Sequence, residues 1–295
     1  MGSKFTPCAP SSSKVPNCYA KQDKLKFFFG NSKLTNSIAT FSLPAGYSCP
    51  FAKDCLSKAN PLTGKIIDGK HCQFRCFAAS QECTYPNVRK ARWHNFNILK
   101  EAKSTEQMAR VIQSSLPDTN LVRIHISGDY YNENYFLAWL NVALNNPGIT
   151  FYGYTKALPH IVKYRKYIPF NFRLVASKGG THNHLIKKHN LRSAEVVFSV
   201  KEAEDKGLLI DHDDSLAIAG INNFALLIHG QQPANTKASE ALKALRKLGL
   251  GGYSKEKKHL RQSQKKPFYV FLDLNKGRIQ HKQKLVNLFG EKEMV

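Results

Sequence analysis

The chain of 295 residues carries no cysteine after position 83, only 21 acidic residues against 44 Lys and Arg, three Met and two Trp. No run of ~18 uninterrupted apolar residues occurs, which excludes a conventional membrane-spanning helix and leaves no membrane partner to expect. The first residues lack the apolar stretch of a secretory leader, so the expected compartment is a reducing cytoplasm in which cysteines stay as thiols. An odd count of seven cysteines in a chain this long also argues against a disulfide framework. Two nucleotide-chemistry signatures are missing: the Gly-x4-Gly-Lys-Ser/Thr of P-loop ATPases, and the His-x-Glu with Pro-Cys-x2-Cys of zinc deaminases.

What the chain does have is a core. Apolar residues make up 42% and aromatics 11%, enough for one large buried interior and too much for a disordered tail protein. The net charge of +23 makes an anionic partner plausible, a small molecule or a nucleic acid reached through the basic surface.

Residues 1–37 read as a basic irregular arm punctuated by Pro7, Pro10, Ser11, Ser12, Ser13 and Pro16. Residues 38–250 read as one α/β barrel-like domain, and 251–295 as a basic extension packed on it, with Lys255, Lys257, Lys258, Arg261, Lys265 and Lys266 before a strand-like 268–272. Within the domain a first strand spans 38–43 and ends at Pro44-Ala45-Gly46. The stretch 47–80 is rich in Gly, Cys, Lys and Pro and poor in apolar periodicity, which predicts a long loop that folds around something. An amphipathic helix is predicted over 88–102, with Arg89, Lys90, Arg92 and Lys100 on its polar face. Strands at 121–126, 149–154, 172–176, 195–200, 216–219 and 224–228 then alternate with helices at 133–144, 159–166, 182–188, 201–206 and 238–248. Asn132 is a credible N-cap for the first of these helices. Such alternation builds parallel sheets with right-handed crossovers, so the fold class is α/β, a partial or closed (β/α) barrel with a cysteine-bearing loop after its first strand.

In such architectures the loops after the strands share one mouth. Here they begin Ser127-Gly128-Asp129, Thr155-Lys156, Ser177-Lys178-Gly179-Gly180 and His229-Gly230. Ser127, Gly128, Asp129, Thr155, Lys156 and Ser177 are the candidate small-molecule contacts, Asp129 accepting from an amino or ribose group and Lys156 pairing with a carboxylate. Each loop alone also reads as an ordinary turn. The run Asp211-His212-Asp213-Asp214 has no spaced partner and reads as a solvated loop, and His125, alternating with Ile124 and Ile126, as a satisfied interior histidine. His182, His184 and His189 read as the exposed side of a short basic helix.

The cysteines at 49, 55, 72 and 76 are the sharpest feature. Thiolates are the usual ligands of iron–sulfur clusters and of structural zinc, whereas Cys8, Cys18 and Cys83 read as buried small hydrophobes. Only Cys72 and Cys76 have the short spacing of a zinc knuckle, so a four-cysteine zinc site is the rival to a cluster.

The strings Ser42-Leu43-Pro44-Ala45-Gly46-Tyr47-Ser48-Cys49-Pro50, Cys55-Leu56, Thr63-Gly64-Lys65, Phe74-Arg75-Cys76-Phe77-Ala78-Ala79-Ser80, Ser127-Gly128-Asp129 and Tyr154-Thr155-Lys156 resemble the phage-encoded gene product 88-like proteins. The resemblance runs from about Ser42 to Gly180 and implies a phage origin, hence the cytoplasm of an infected cell, with the virion as the alternative location. In that family thiols correspond to Cys49, Cys55 and Cys76, while the positions of Cys72 and Cys83 need not be cysteine. Three thiolates before a βα series also resemble radical S-adenosylmethionine enzymes, in which three cysteines hold a [4Fe-4S] cluster and one iron stays open to S-adenosylmethionine. Their compact Cys-x3-Cys-x2-Cys is absent, since Cys49 to Cys76 spans 28 positions. The expectation is therefore an iron–sulfur protein with Cys49, Cys55 and Cys76 as ligands and Cys72 as the candidate fourth, served by a small ligand or an electron donor. A zinc-stabilised nucleic-acid-binding protein is the alternative.

Overall fold

The computed structural model describes residues 24–31 and 33–250. The readings made for 1–23, with Cys8 and Cys18, and for the basic segment 251–295 lie outside the described residues.

Phe28–Phe29 (β1) and Ala39–Thr40 (β2) form an antiparallel pair, and Ser57–Ala59 (β3) with Ile66–Asp68 (β4) a separate hairpin. Three helices follow, Phe77–Thr84 (α1), Pro86–Glu101 (α2) and Thr105–Ser115 (α3). The chain then alternates through Leu121–Ile124 (β5), Glu133–Asn145 (α4), Thr150–Thr155 (β6), Leu158–Tyr164 (α5), Phe172–Ser177 (β7), His184–Lys188 (α6) and Ser193–Val197 (β8). Val200–Asp205 (α7), Leu209–Ile210 (β9), Ser215–Ala219 (α8), Asn223–Leu227 (β10) and Lys237–Lys247 (α9) complete it.

Eight strands make one sheet in the order β1-β2-β5-β6-β7-β8-β10-β9, parallel throughout except for β1. The sheet is open, with β1 and β9 as its edges. Each edge strand is two residues long and β1 runs the wrong way, so neither offers a ladder for closure. Of the barrel expectation, the coarser part stands, an open and mostly parallel α/β sheet.

Alternation along the strands assigns the two faces. Val122, Ile124, Phe151 and Phe172 pack with α3 and α4, Ala176 with α5, and Val197, Ala225 and Leu227 with α7 and α9. The opposite face carries Tyr152, Val175, Ala194 and Phe224, covered by Ala217 of α8 and by Leu34 and Ile38. Local signals set the ends: Asn132 Oδ1 accepts from Tyr135 N at 2.8 Å to start α4, and Ser104 Oγ accepts from Gln107 N at 3.2 Å to start α3.

Several expectations are corrected. Residues 47–80 are not an unbroken loop, because β3 and β4 pair across a turn and α1 begins at Phe77. The 216–219 strand is instead the helix α8, whose carbonyls accept from Arg173 and Arg192 (Arg192 Nη2 to Leu216 O, 2.8 Å), a favourable place for cations. Asp211 and Asp214 are not solvated but 2% and 0% exposed. Asp214 meets Lys33 and Arg123 at 2.5 Å each and accepts from Tyr152 and Tyr154 at 3.2 and 3.1 Å. Two cations explain how a carboxylate stays inside. Arg89 and Arg92 likewise turn inward from α2, Arg92 to Glu82 at 2.9 Å and Arg89 to backbone carbonyls that include Pro61 O at 3.1 Å. Cys83 is exposed rather than buried.

Candidate functional site

The segment from Cys49 to Cys76 lies across the C-terminal ends of the parallel strands, pinned after β7 and β10, while the turn that leads into it is pinned after β5. After β5, Leu43 N donates to Ser127 O at 2.9 Å, and a Cβ on Gly128 (φ +88°) would sit 2.6 Å from Leu43 Cβ and from Ser48 Oγ. After β7, Lys53 N and Asp54 N both donate to Gly179 O at 3.2 and 2.9 Å, Thr181 N donates to Phe51 O at 2.9 Å, and Ala52 pairs with Gly180. After β10, Arg75 N donates to Gln232 Oε1 at 2.8 Å and Gln232 Nε2 returns a bond to Arg75 O at 3.1 Å. Gly179 and Gly180 therefore serve as places where the cysteine segment approaches backbone to backbone, and Gly128 leaves room for Leu43 and Ser48 just before it.

Within the segment the hairpin β3–β4 turns the chain back on itself. Gln73 N and Phe74 N donate to Asp54 O at 2.7 and 3.2 Å, which sets Cys55 beside the 72–76 stretch. Ser57 Oγ lies between the two later thiols, accepting from Cys76 N at 3.3 Å and lying 3.5 Å from Cys72 Sγ. Cys49, Cys55, Cys72 and Cys76 are half-buried residues. Burial pushes the Cys49 thiol well above its usual range, and the charges of Asp129, Cys76 and Cys55 push it further. Burial and Cys55 take Cys76 up to about 11, against the pull of the N–H groups of Ala78 and Ala79 at the start of α1. Cys49, Cys55 and Cys76, spread over 28 positions of sequence, are thus near enough for Cys55 and Cys76 to act electrostatically on Cys49 and for Cys55 to act on Cys76. Cys72 stands to the side, near Cys55, with its Sγ donating to Phe74 O at 3.0 Å; burial raises it too. Among the described residues no group of three or more His, Cys, Asp or Glu is placed to hold a metal ion.

The candidate small-molecule residues do meet at this end, bonded mainly to each other. Asp129 Oδ1 accepts from Thr155 Oγ1 at 2.5 Å and from Tyr130 N at 2.8 Å, and Oδ2 from Lys156 N at 2.8 Å. Burial raises the Asp129 carboxyl and these bonds hold it back, so its role in this arrangement is to tie the β5 loop to the β6 loop. Lys156 Nζ donates to Ser177 Oγ at 2.6 Å, linking β6 to β7, and Ser127 Oγ donates to Glu82 Oε1 at 3.4 Å. His125 is interior, with Nε2 2.9 Å from Tyr135 Oη and a pKa lowered by burial to about 3. His184 is exposed, while the His182 ring packs on Phe51 at 5.3 Å.

Sequence reasoning missed Glu82. Its Oε1 takes Ala45 N at 2.8 Å and Arg92 at 2.9 Å, fixing the turn that leads into the cysteine segment, while Oε2 is buried with no hydrogen bond. A lone Glu in α1 gives no periodic signal, and its pairing with Arg92 becomes visible only when α1 and α2 pack.

No helix among the described residues is long and apolar enough to cross a membrane. No solved structure matches the chain. The Gene 88 protein of Mycobacterium phage L5 is 27% identical over 134 residues, which cover 42% of this chain and 48% of that relative. The chain thus spans about half the relative's length. These similarities support a phage protein and do not show a resemblance to radical S-adenosylmethionine enzymes. The family model described as Gene product 88 matches residues 17–247, most of the chain, and the protein belongs to that family.

Proposed function

We propose that the protein is a phage iron–sulfur protein holding one [4Fe-4S] cluster on Cys49, Cys55 and Cys76. The observation that carries this reading is that Gln73 N and Phe74 N donate to Asp54 O, which sets Cys55 beside the 72–76 stretch, while the cysteine segment docks on the C-terminal ends of parallel strands, where the thiols of Cys49, Cys55 and Cys76 feel one another's charge. A four-iron cluster is wider than a single ion and takes thiolates that stand apart. A four-cysteine zinc site, the rival, would draw all its sulfurs to ~2.3 Å of one ion. Thiols crowded in an enclosed region disfavour thiolate charge until cationic iron offsets it and the protons leave.

Cys72, occupied by Ser57 and the Phe74 carbonyl, supports three protein ligands rather than four. One iron would then be open to S-adenosylmethionine or another small ligand, and the cluster would supply one-electron chemistry. Lys156 and Ser177 offer an ammonium and a hydroxyl on adjacent strand ends for an anionic group of that ligand. The steady strand order from β2 to β8 agrees with a partial barrel whose mouth the cysteine segment crosses. The working compartment in this reading is the cytoplasm of the infected cell, where thiols stay reduced.

The test is oxygen-free purification, iron and sulfide analysis, and electron paramagnetic resonance of the reduced protein with and without S-adenosylmethionine. A brown protein with about four irons and four sulfides per chain is expected, its spectrum changed by S-adenosylmethionine. A colourless, iron-free product overturns the cluster; an unchanged spectrum overturns the open iron as its site.

A further inference from the structure

We infer that the groove beside the cysteine segment, between α2 and the loop after β5, is a binding site for a nucleotide, its base stacked on aromatic rings and its phosphate held by Lys100 and Lys103. A cavity of about 370 Å³ lies there, walled by Tyr47 and Pro50 from the cysteine segment, Phe96 and Lys100 from α2, Lys103, and Tyr131 just before α4. That volume is in the range of ligand pockets. Tyr47, Phe96 and Tyr131 are its aromatic lining, held from behind by Trp93 (4.9 Å from Tyr47, 5.8 Å from Phe96) and by Tyr135, stacked on Tyr131 at 4.6 Å. The half-buried Tyr47 and Tyr131 are the rings that can offer a base a free face. Tyr131 Oη is buried with no hydrogen-bond partner, a donor or acceptor left over for a polar edge.

The rim supplies the charge. Lys100 and Lys103 are exposed and make no ion pair with any described carboxylate; Lys100 Nζ rests over the Phe96 ring at 5.5 Å from its centroid. An aromatic wall ending in two ammonium groups that no described carboxylate pairs matches a base joined to a phosphate, whether the phosphate belongs to a free mononucleotide or to the 5′ end of a single strand. The site does not depend on a cluster, although Cys49 lies between its wall residues Tyr47 and Pro50 in the chain.

The experiment is calorimetric titration of the full chain, iron-free and after anaerobic reconstitution, with adenosine monophosphate, ribose 5-phosphate, and pentathymidylate with and without a 5′ phosphate. Adenosine monophosphate is expected to bind at least about fivefold more tightly than ribose 5-phosphate, the low end of what stacking one base contributes. Lys100→Gln with Lys103→Gln is expected to weaken it about tenfold or more with unchanged circular dichroism, since both side chains are exposed. Trp93, one of two tryptophans, is expected to change fluorescence on binding because it lies against Tyr47. Tighter binding of the phosphorylated strand than of adenosine monophosphate identifies a strand end as the source, and the reverse a free nucleotide. Equal binding of adenosine monophosphate and ribose 5-phosphate, no binding at all, or an affinity indifferent to the two lysines overturns the inference. Because binding is read on iron-free protein, its failure is separate from failure of the cluster.

Discussion

Replacing Asp214 with Asn probes what holds the inner face of the sheet together. Asp214 is 0% exposed and bonded to Lys33, Arg123, Tyr152 and Tyr154, with Asp211 beside it. Its backbone is left-handed (φ +66°), a region Asn enters as readily as Asp, so D214N removes charge without adding backbone strain. Removing one member of a buried ion pair costs about 3–5 kcal/mol, because the partners stay buried and uncompensated. For a domain of this size that lowers Tm by about 6–20 °C. The pH dependence has a definite sign. Burial pushes the Asp214 carboxyl up, but Arg123 and Lys33 overrule it and set it below the ordinary value. Its stabilisation is therefore complete above the unfolded pKa of ~3.9 and fades as pH falls through the lower folded value. Asp211 opposes this, since burial first and Asp214 in part raise its carboxyl, despite Lys33. Urea unfolding of both proteins from pH 7 down to pH 3 should show their stability gap narrowing in acid. A D214N protein within about 1 kcal/mol of the wild type at pH 7 would refute the assignment of the network as a buried, charge-balanced tie.

Three further outcomes follow from the same geometry. Gly128→Ala forces a Cβ to within 2.6 Å of Leu43 and Ser48 at φ +88°, so it should cost at least about 1–3 kcal/mol in urea unfolding, and an unaffected protein would remove the close docking of the turn that leads into the cysteine segment. Arg92→Leu leaves Glu82 buried without its cation, and should lose about 3–5 kcal/mol, part of which returns when Glu82→Gln is added; no recovery in the double variant would contradict the pairing. Asp129→Ala strips acceptors from Thr155 and from the N–H groups of Tyr130 and Lys156, with an expected loss of at least ~3 kcal/mol. A D129A protein of normal stability would instead mark Asp129 as held in reserve for a ligand.

Much of the fold was legible because its signals are local. The stretches 122–126, 149–154 and 224–228 are short, mostly apolar runs that enter β5, β6 and β10, and α4 announces itself through Asn132 followed by a largely apolar stretch. The helix α3 was missed although Ser104, Met108, Val111 and Ile112 carry its cap and its buried face. The five-residue α8 was misread because Leu216, Ala217, Ile218 and Ala219 are apolar throughout and too few to show a period. The burial of Asp211 and Asp214 could not be read locally, since the charges that balance them come from Lys33 and Arg123, far away in the chain. At the candidate site, residue type singles out the three thiols and the strand-end loops as candidates. It does not say what the loops do, because Asp129, Lys156 and Gly179 are engaged by neighbours that only the tertiary fold supplies.

The central claim is tested most directly by iron and acid-labile sulfide counts on anaerobically reconstituted single variants. Cys49→Ser, Cys55→Ser and Cys76→Ser should each lose most of the bound iron, while Cys72→Ser and Cys83→Ser keep the wild-type content. Full iron in any of the first three, or its loss in Cys72→Ser, would contradict a cluster held by Cys49, Cys55 and Cys76.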